Sequence, residues 1–370
     1  MREGWTYKKL GEICTKGSSN ISLNKIEDNI GDYPLYGASG YVKGIDFYHQ
    51  ASEYIGIVKD GSGVGRVNIY PAYSSLVGTM QYILPNEGCH IGFLKYLLQS
   101  MHLGELKTGA AIPHIYFKDY GKNIVPVPSF QEQQQIVSEL DLLSSVIEKQ
   151  KAQIEELDKL AQSIFYDMFG DPVENEKGWE VVPLNNNIDE MFLGPFGSSL
   201  KVDSYVPKED SYCMVYEQKH AIQAKLDLEN HYINKEKFDS LSRFEVKPGD
   251  YIMSCRGTIG KIFQIPQNAP KGIIHPSVMK IRLKEQLYAS TYFMRMLKLI
   301  VANEVTNGNC VQMAITAKAL GKKKLPLPPF SLQQKYEDIV QAIESMKAKV
   351  RQSLKESEML FNSRMDFYFS

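Results

Sequence analysis

Residues 125–134 read VPVPSFQEQQ and residues 325–334 read LPLPPFSLQQ, two nearly identical decapeptides 200 positions apart. A long run of helix formers follows each. A fixed interval of this size marks an internal duplication, and it sets how every other segment is read. Pro126, Pro128, Pro326 and Pro328 hold the residues before them in extended backbone, so each signature is a stiff lead into a helix. Beyond it the apolar spacing changes to alternating steps of four and three. The first copy gives Ile136, Leu140, Leu143, Ile147, Ile154, Leu157 and Ile164, with Gln150 as a polar seat. The second gives Val340, Ile343, Val350, Leu354 and Phe361 in the same register, with breaks at Lys347, Ser357 and Arg364. These are heptad seams. At about 38 residues each, or about 57 Å at 1.5 Å per residue, such helices outreach a domain of this size and are expected to pack on each other. A chain that returns to a second globular unit between them makes an antiparallel coiled coil the easiest arrangement.

The duplication extends outward from the signatures. Each half opens on Gly-Trp, as GWTYKKLGEI from Gly4 and GWEVVPLNNNI from Gly178. In mid-domain GSGVGRV (61–67) matches CRGTIGKI (255–262), both ending in glycine, a basic residue and a β-branched one. IYFKDYGKNIVPVP (115–128) aligns without a gap to ITAKALGKKKLPLP (315–328), although AAIPHI (110–115) stands where the second copy has CVQMAI (310–315). The predicted organisation is therefore α+β, with globular domains at 1–129 and 170–329 and spacer helices at 130–169 and 330–370. The two pseudo-repeated domains are separated by the helices.

Composition sets further bounds. The chain has 370 residues, too many for one ordinary core, and 43% are hydrophobic and 23% charged, as in soluble globular proteins. No apolar run is long enough to span a bilayer, since YASTYFMRMLKLIVA from Tyr288 is interrupted by Arg295 and Lys298. MREGWTYKK lacks an apolar signal core, so the expected address is cytoplasmic, with no membrane contact. Cys14, Cys89, Cys213, Cys255 and Cys310 are scattered and odd in number, and the 7 histidines show no metal-ligand spacing. Reduced, packed thiols and no metal site are expected. Net charge is −1 overall, but residues 1–129 carry 12 basic against 11 acidic groups, 170–329 carry 21 against 18, and 130–169 carry 3 against 8. The globular segments are slightly positive, which permits a basic face on each without requiring one.

This ordered, duplicated set resembles the specificity subunits of type I restriction-modification systems. The resemblance covers essentially the whole chain and includes the shorter phrases YPLYGASGYVKGID (33–46) and FGSSLK (196–201). It implies that each globular domain is a target-recognition domain reading one half of a bipartite site on double-stranded DNA. The helices would fix the spacing of the halves and dock DNA methyltransferase subunits. Restriction/translocase subunits are a further implied partner. The chain itself would be non-catalytic, with S-adenosylmethionine and ATP handled in partner subunits.

Two rival readings come from the residues. The chain could itself be a DNA methyltransferase, on the strength of PPF (328–330) and GSGVG (61–65). Leu327, however, stands where an amino-methyltransferase motif needs an amide or carboxylate, and GSGVG leads into the strand-like RVNIYPAY instead of a helix. A hairpin turn is the better reading of that loop. A coiled-coil adaptor without DNA contact explains the seams but leaves two aromatic-rich heads without a task. Donors on or beside Gly-rich loops are the candidate DNA-binding residues: Lys43, Lys59, Ser62 and Arg66 in the first head, and Ser198, Ser199, Lys201, Arg256 and Lys261 in the second. A solvated turn would contain the same residue types.

Overall fold

The computed structural model describes every residue except 1, 3, 110–112, 285–286 and 307–314, with backbone alone at 304–306. Cys310 and most of the CVQMAI segment thus lie outside the described residues. The chain divides into two units. The first is Met1–Gln153 with Val350–Ser370, and the second is Ile154–Lys349.

In the first unit the N-terminal strand β1 (Thr6–Lys9) pairs antiparallel with β9 (Ile124–Val127), so the first proline signature sits in a two-stranded ribbon. An edge position of this kind tolerates the missing N–H of Pro126. A four-stranded antiparallel sheet runs in the order β2 (Cys14–Ser18), β8 (Met80–Pro85), β5 (Tyr54–Val58), β6 (Val67–Tyr70). Every residue of β5, YIGIV, is buried, as befits a central strand covered on both faces. A second sheet joins β4 (Gly40–Ile45), β3 (Tyr33–Gly37) and β7 (Ser75–Leu76), with β3 parallel to β7. Ile55, Ile57 and Ile83 pack with Phe93, Leu94 and Leu97 of the helix Ile91–Ser100 to form the main core.

The second unit repeats this scheme. Strand β10 (Val181–Pro183) pairs with β19 (Lys324–Pro326), which carries the second signature. The four-stranded sheet is β11 (Ile188–Leu193), β18 (Val278–Leu283), β15 (Tyr251–Ser254), β16 (Ile262–Gln264), in the topology of its counterpart. The other sheet is β13 (Tyr232–Ile233), β12 (Cys213–Tyr216), β17 (Gly272–Ile274), β14 (Glu245–Val246), with β12 parallel to β17. The fold is α+β and duplicated, as the sequence predicts.

The repeated glutamine explains the signature. Gln133 and Gln333, the ninth letters of the two decapeptides, have no solvent exposure. Gln133 Nε2 donates to Pro128 O (3.0 Å) and Gly88 O (3.1 Å), and its Oε1 accepts from His90 N (2.8 Å). Gln333 does the same with Pro328 O (2.8 Å), Leu287 O (3.3 Å) and Ala289 N (2.9 Å). Each glutamine thus ties the start of a long helix to the backbone leading into the helix Ile91–Ser100 or Ser290–Thr306. Buried carbonyls and amides at those junctions have few other partners, which is why one amide side chain recurs there.

The long helices are Phe130–Phe169 and Phe330–Phe369, 40 residues each. Ser129 and Glu132 form a reciprocal cap at the start of the first, Ser129 N donating to Glu132 Oε2 (3.0 Å) and Glu132 N to Ser129 Oγ (3.3 Å). Every apolar seam position read from the sequence is buried or half-buried. In the first unit these are Ile136, Leu140, Leu143, Ile147, Val350, Leu354 and Phe361, and in the second Ile154, Leu157, Ile164, Val340 and Ile343.

Within each unit the helices run antiparallel. In the first unit Glu139 faces Arg364, Gln150 Nε2 donates to Ser353 Oγ (2.9 Å) and Lys151 pairs with Glu358 (2.9 Å). In the second, Lys347 Nζ meets Asp158 Oδ1 at 2.5 Å and the rings of Phe165 and Tyr336 lie 5.5 Å apart. The positions read as breaks are corrected by this pairing, because they are seats in the seam and not gaps. Lys347 is 5% exposed and also contacts Glu344 (2.6 Å). Arg364 Nη2 donates to Glu139 Oε2 (2.9 Å), which also accepts from Tyr368 OH (2.6 Å). Ser357 is half-buried and satisfies its hydroxyl on Ser353 O (3.0 Å).

Each core is completed by the other repeat's helix. Met365 belongs to the main core of the first unit, with Phe361 and Phe369 packed against it, while Phe165 and Phe169 lie in that of the second.

Candidate nucleic-acid interface

The four-stranded sheet of each unit gathers three connecting segments at one end. In the second unit β11 runs out into Gly194–Lys201, β18 is entered from His275–Ser277, and β15 and β16 are joined by 255–261. Gly194 N donates to Val278 O (2.9 Å) and Cys255 N to Ser277 O (3.1 Å), which locks the three together. In the first unit the same end collects the chain after β2, the Val77–Thr79 approach to β8, and the 59–66 loop between β5 and β6. There Gly78 N donates to Ile21 O (2.7 Å) and Lys59 N to Thr79 O (3.0 Å). A fourth segment docks on the hairpin loop in both units, through Ile115 N to Lys59 O (3.0 Å) and Ile315 N to Cys255 O (3.3 Å).

The hairpin reading of the glycine loops holds. Ile57 pairs with Val67 and Met253 with Ile262 in antiparallel register across them. Gly65 (φ +87°) and Gly260 (φ +80°) occupy matching places before the basic residue. A Cβ on Gly65 would lie 2.2 Å from Gly104 N, and one on Gly260 would lie 2.7 Å from Val301 Cγ1. Both conformation and space therefore demand glycine.

The structure brings most of the sequence-selected residues to these sheet ends. Ser198, Lys201 and Arg256 are exposed, and Ser199 and Lys261 are partly so. In the first unit Lys59, Ser62 and Arg66 share the loop, but their polar groups are partly engaged. Lys59 pairs with Asp60 at 3.5 Å, and Arg66 curls back to donate to Gly63 O (3.3 Å) and Ser62 O (3.2 Å). Lys43 stands on β4 of the other sheet, and its ammonium donates to Ile26 O (3.1 Å) and Glu27 O (2.8 Å).

Sequence reasoning missed His275 and Ser277, which enter the site only through sheet topology. His275 Nδ1 lies 2.7 Å from Ser277 Oγ. Burial lowers the imidazole pKa, the nearby Glu217 carboxylate working in the opposite direction, so the ring is neutral at pH 7. Burial likewise works against the charge of Glu217, yet hydrogen bonds from Lys219 (2.7 Å) and His231 (3.0 Å) hold its pKa below the usual carboxylate range. His231 stacks on Tyr205 with ring centres 4.4 Å apart. The four described cysteines are free and buried, and burial pushes the thiols of Cys14, Cys89 and Cys255 up to about 12 and that of Cys213 to about 11. Protonated thiols of this kind are poor nucleophiles and poor metal ligands. Among the described residues no three His, Cys, Asp or Glu side chains are grouped to hold a metal ion, and no helix is long and apolar enough to cross a membrane.

A family model described as the type I restriction modification DNA specificity domain matches residues 2–159 and 207–356. The chain belongs to this family. The two matched segments are its two copies of the domain. Among curated relatives, a putative type I restriction enzyme MjaX specificity subunit of Methanocaldococcus jannaschii is 26% identical over 234 residues, covering 60% of this chain and 52% of that one. The type I restriction enzyme MjaIX specificity subunit of the same organism is 31% identical over 123 residues, covering 28% of each. The chain thus spans about half the length of the first relative and about a quarter of the second. The S subunit of a type I restriction-modification system from M. genitalium superposes with a TM-score of 0.60 at 15% identity, over 99% of this chain and 96% of that one. A chain from a structure of type I R-M complex assembly and conformational transition gives 0.64 at 17% identity, over 99% and 97%. At these identities the structures establish a shared fold.

Proposed function

We propose that this protein is the non-catalytic DNA-recognition subunit of a cytoplasmic type I restriction-modification complex, each unit reading one half of a bipartite site. The observation that carries the reading is the duplicated sheet end: both units present the same three segments there on the same scaffold, while the residues at the tips differ. In the register that aligns Lys59 with Cys255 and Val67 with Ile262, Asp60 is replaced by the exposed Arg256 and Arg66 by Lys261. A conserved frame with variable tips is what two readers of different sequences require, because base edges specify while phosphate contacts position.

The long helices, about 60 Å each at 1.5 Å per residue, would set the spacing of the half-sites and dock the methyltransferase subunits. Restriction/translocase subunits complete the proposed set of partners. S-adenosylmethionine and ATP belong to those partners, and this chain supplies base selection. Ser198, Ser199, Lys201, Arg256 and Lys261 serve the second half-site, and Lys59, Ser62 and Arg66 the first. Lys43 contributes by holding the segment that contains Ile26 and Glu27.

Exchanging residues 1–129 for those of a relative is expected to change one half of the methylated sequence and leave the other intact. Methylation mapping of the assembled complex checks this. Alteration of both halves, or of neither, contradicts the reading. Incubation of the lone chain with labelled S-adenosylmethionine and DNA is expected to transfer no label.

A further inference from the structure

The second unit carries one residue on its proposed reading face that a DNA-phosphate role does not explain. Phe196 is 87% exposed, the highest value among the exposed large hydrophobic residues of the described chain. It is not a loose loop residue. Gly194 N is bonded to Val278 O (2.9 Å), a Cβ on Gly194 would lie 2.2 Å from His275 O, and the ring of buried Pro195 fixes the next φ. Beyond the ring, Ser199 N donates to Phe196 O (2.8 Å) and Leu200 is buried. The aromatic ring is thus held out on a short tip anchored on both sides, at the sheet end that also bears Arg256 and Lys261. At the corresponding place in the first unit, the chain after β2 has no exposed aromatic side chain; Ile21 there is 6% exposed, while Leu23 and Ile30 further along are exposed aliphatic residues.

A ring anchored in water beside Arg256 and Lys261, with Val202 also exposed at the end of the same segment, offers an apolar surface that an apolar group of a bound partner would cover. Among the groups that base pairs display in the major groove, the only apolar one is the C5 methyl of thymine. We propose that Phe196 is a specificity-determining residue that packs on a thymine methyl in the half-site read by the second unit. The inference rests on the reading of that sheet end as the DNA-contacting face.

The test uses the full chain assembled with its methyltransferase subunits, comparing wild type with Phe196→Ala, Phe196→Leu and Arg256→Ala. Methylation mapping fixes the site, and duplexes with deoxyuridine replacing each thymine in turn then remove single methyl groups. The expected result is that one such replacement slows wild-type methylation about threefold to fivefold, the value of one buried methyl group. The same replacement leaves Phe196→Ala unchanged, and Phe196→Ala relaxes selection at that position alone. Phe196→Leu should retain part of the discrimination. If no thymine methyl matters to wild type, the inference is overturned. Enhanced permanganate reactivity at a base step, lost in Phe196→Ala without any deoxyuridine effect, would replace the methyl contact by a wedge. Loss of co-purification of the methyltransferase subunit in Phe196→Ala would make the ring a protein anchor instead. Both outcomes overturn the proposal. If Arg256→Ala weakens methylation while Phe196→Ala changes nothing, the face is retained and the phenylalanine contact is rejected. If neither substitution has an effect, the assignment of the face itself falls.

Discussion

Replacing Gln333 by leucine is expected to destabilise the second unit by about 3–5 kcal/mol, since a side chain of similar size would leave two buried carbonyls and one buried amide unpaired. The groups are Pro328 O, Leu287 O and Ala289 N, and the glutamine that serves them has no exposure. Each unmet buried group costs on the order of 1–3 kcal/mol, and water cannot reach this junction without opening the helix start. Gln133→Leu is expected to do the same to the first unit. The adjacent Gln334 is exposed, so Gln334→Ala should stay within about 0.5 kcal/mol of wild type. Urea unfolding followed by circular dichroism, fitted with a separate transition for each unit, makes the comparison. A loss below about 1 kcal/mol in both leucine variants would show that the glutamines are not the bolts described above.

The second large effect lies in the helix seam. Lys347 is buried, and burial works against its charge, but the Asp158 and Glu344 carboxylates outweigh that and raise its pKa above the ordinary lysine value. Lys347→Glu would set a third carboxylate among these two and is expected to cost about 3–5 kcal/mol, as for other uncompensated buried charges. Lys347→Met should fall within about 1 kcal/mol of wild type, since it fills the same seat without a charge. Asp158 and Glu344 are 60% and 52% exposed, so both remain hydrated when the ammonium is removed. Thermal unfolding of the two variants tests the pair. Equal losses in both would mean that the seat is held by shape and not by charge.

The seam shows what periodicity can and cannot convey. Apolar spacing identified the buried face of both helices because burial depends on angular position, which the heptad encodes. It misjudged Lys347 and Arg364 because a polar residue is judged by its partner across the seam, and Asp158 and Glu139 lie 189 and 225 positions away in the chain. The glutamine of the signature was visible as a repeated letter. Its task was not, since His90 and Ala289 come near it only through tertiary packing. The glycine loops were legible as hairpins because their conformational demand is local.

The site was legible in pieces. Arg256 and Lys261 lie on one short loop, and their residue types suggested contact with an anionic partner. That His275 and Phe196 share the same end follows from β11 pairing with β18, strands about 90 positions apart, a non-local choice that composition does not reveal. Lys43 shows how little residue type says by itself, because a lysine beside a glycine serves a backbone carbonyl as readily as a phosphate.

Because Met365 and Phe369 close the core of the first unit, that core stays open while the ribosome makes the intervening residues 154–349. At about 5–20 residues per second this interval lasts roughly 10–40 s. During it Phe93 and Tyr96 lack the rings of Phe369 and Phe361 that they meet in the finished protein. A nonsense codon near position 350 would therefore leave the core of the first unit unclosed, although residues 1–153 are intact.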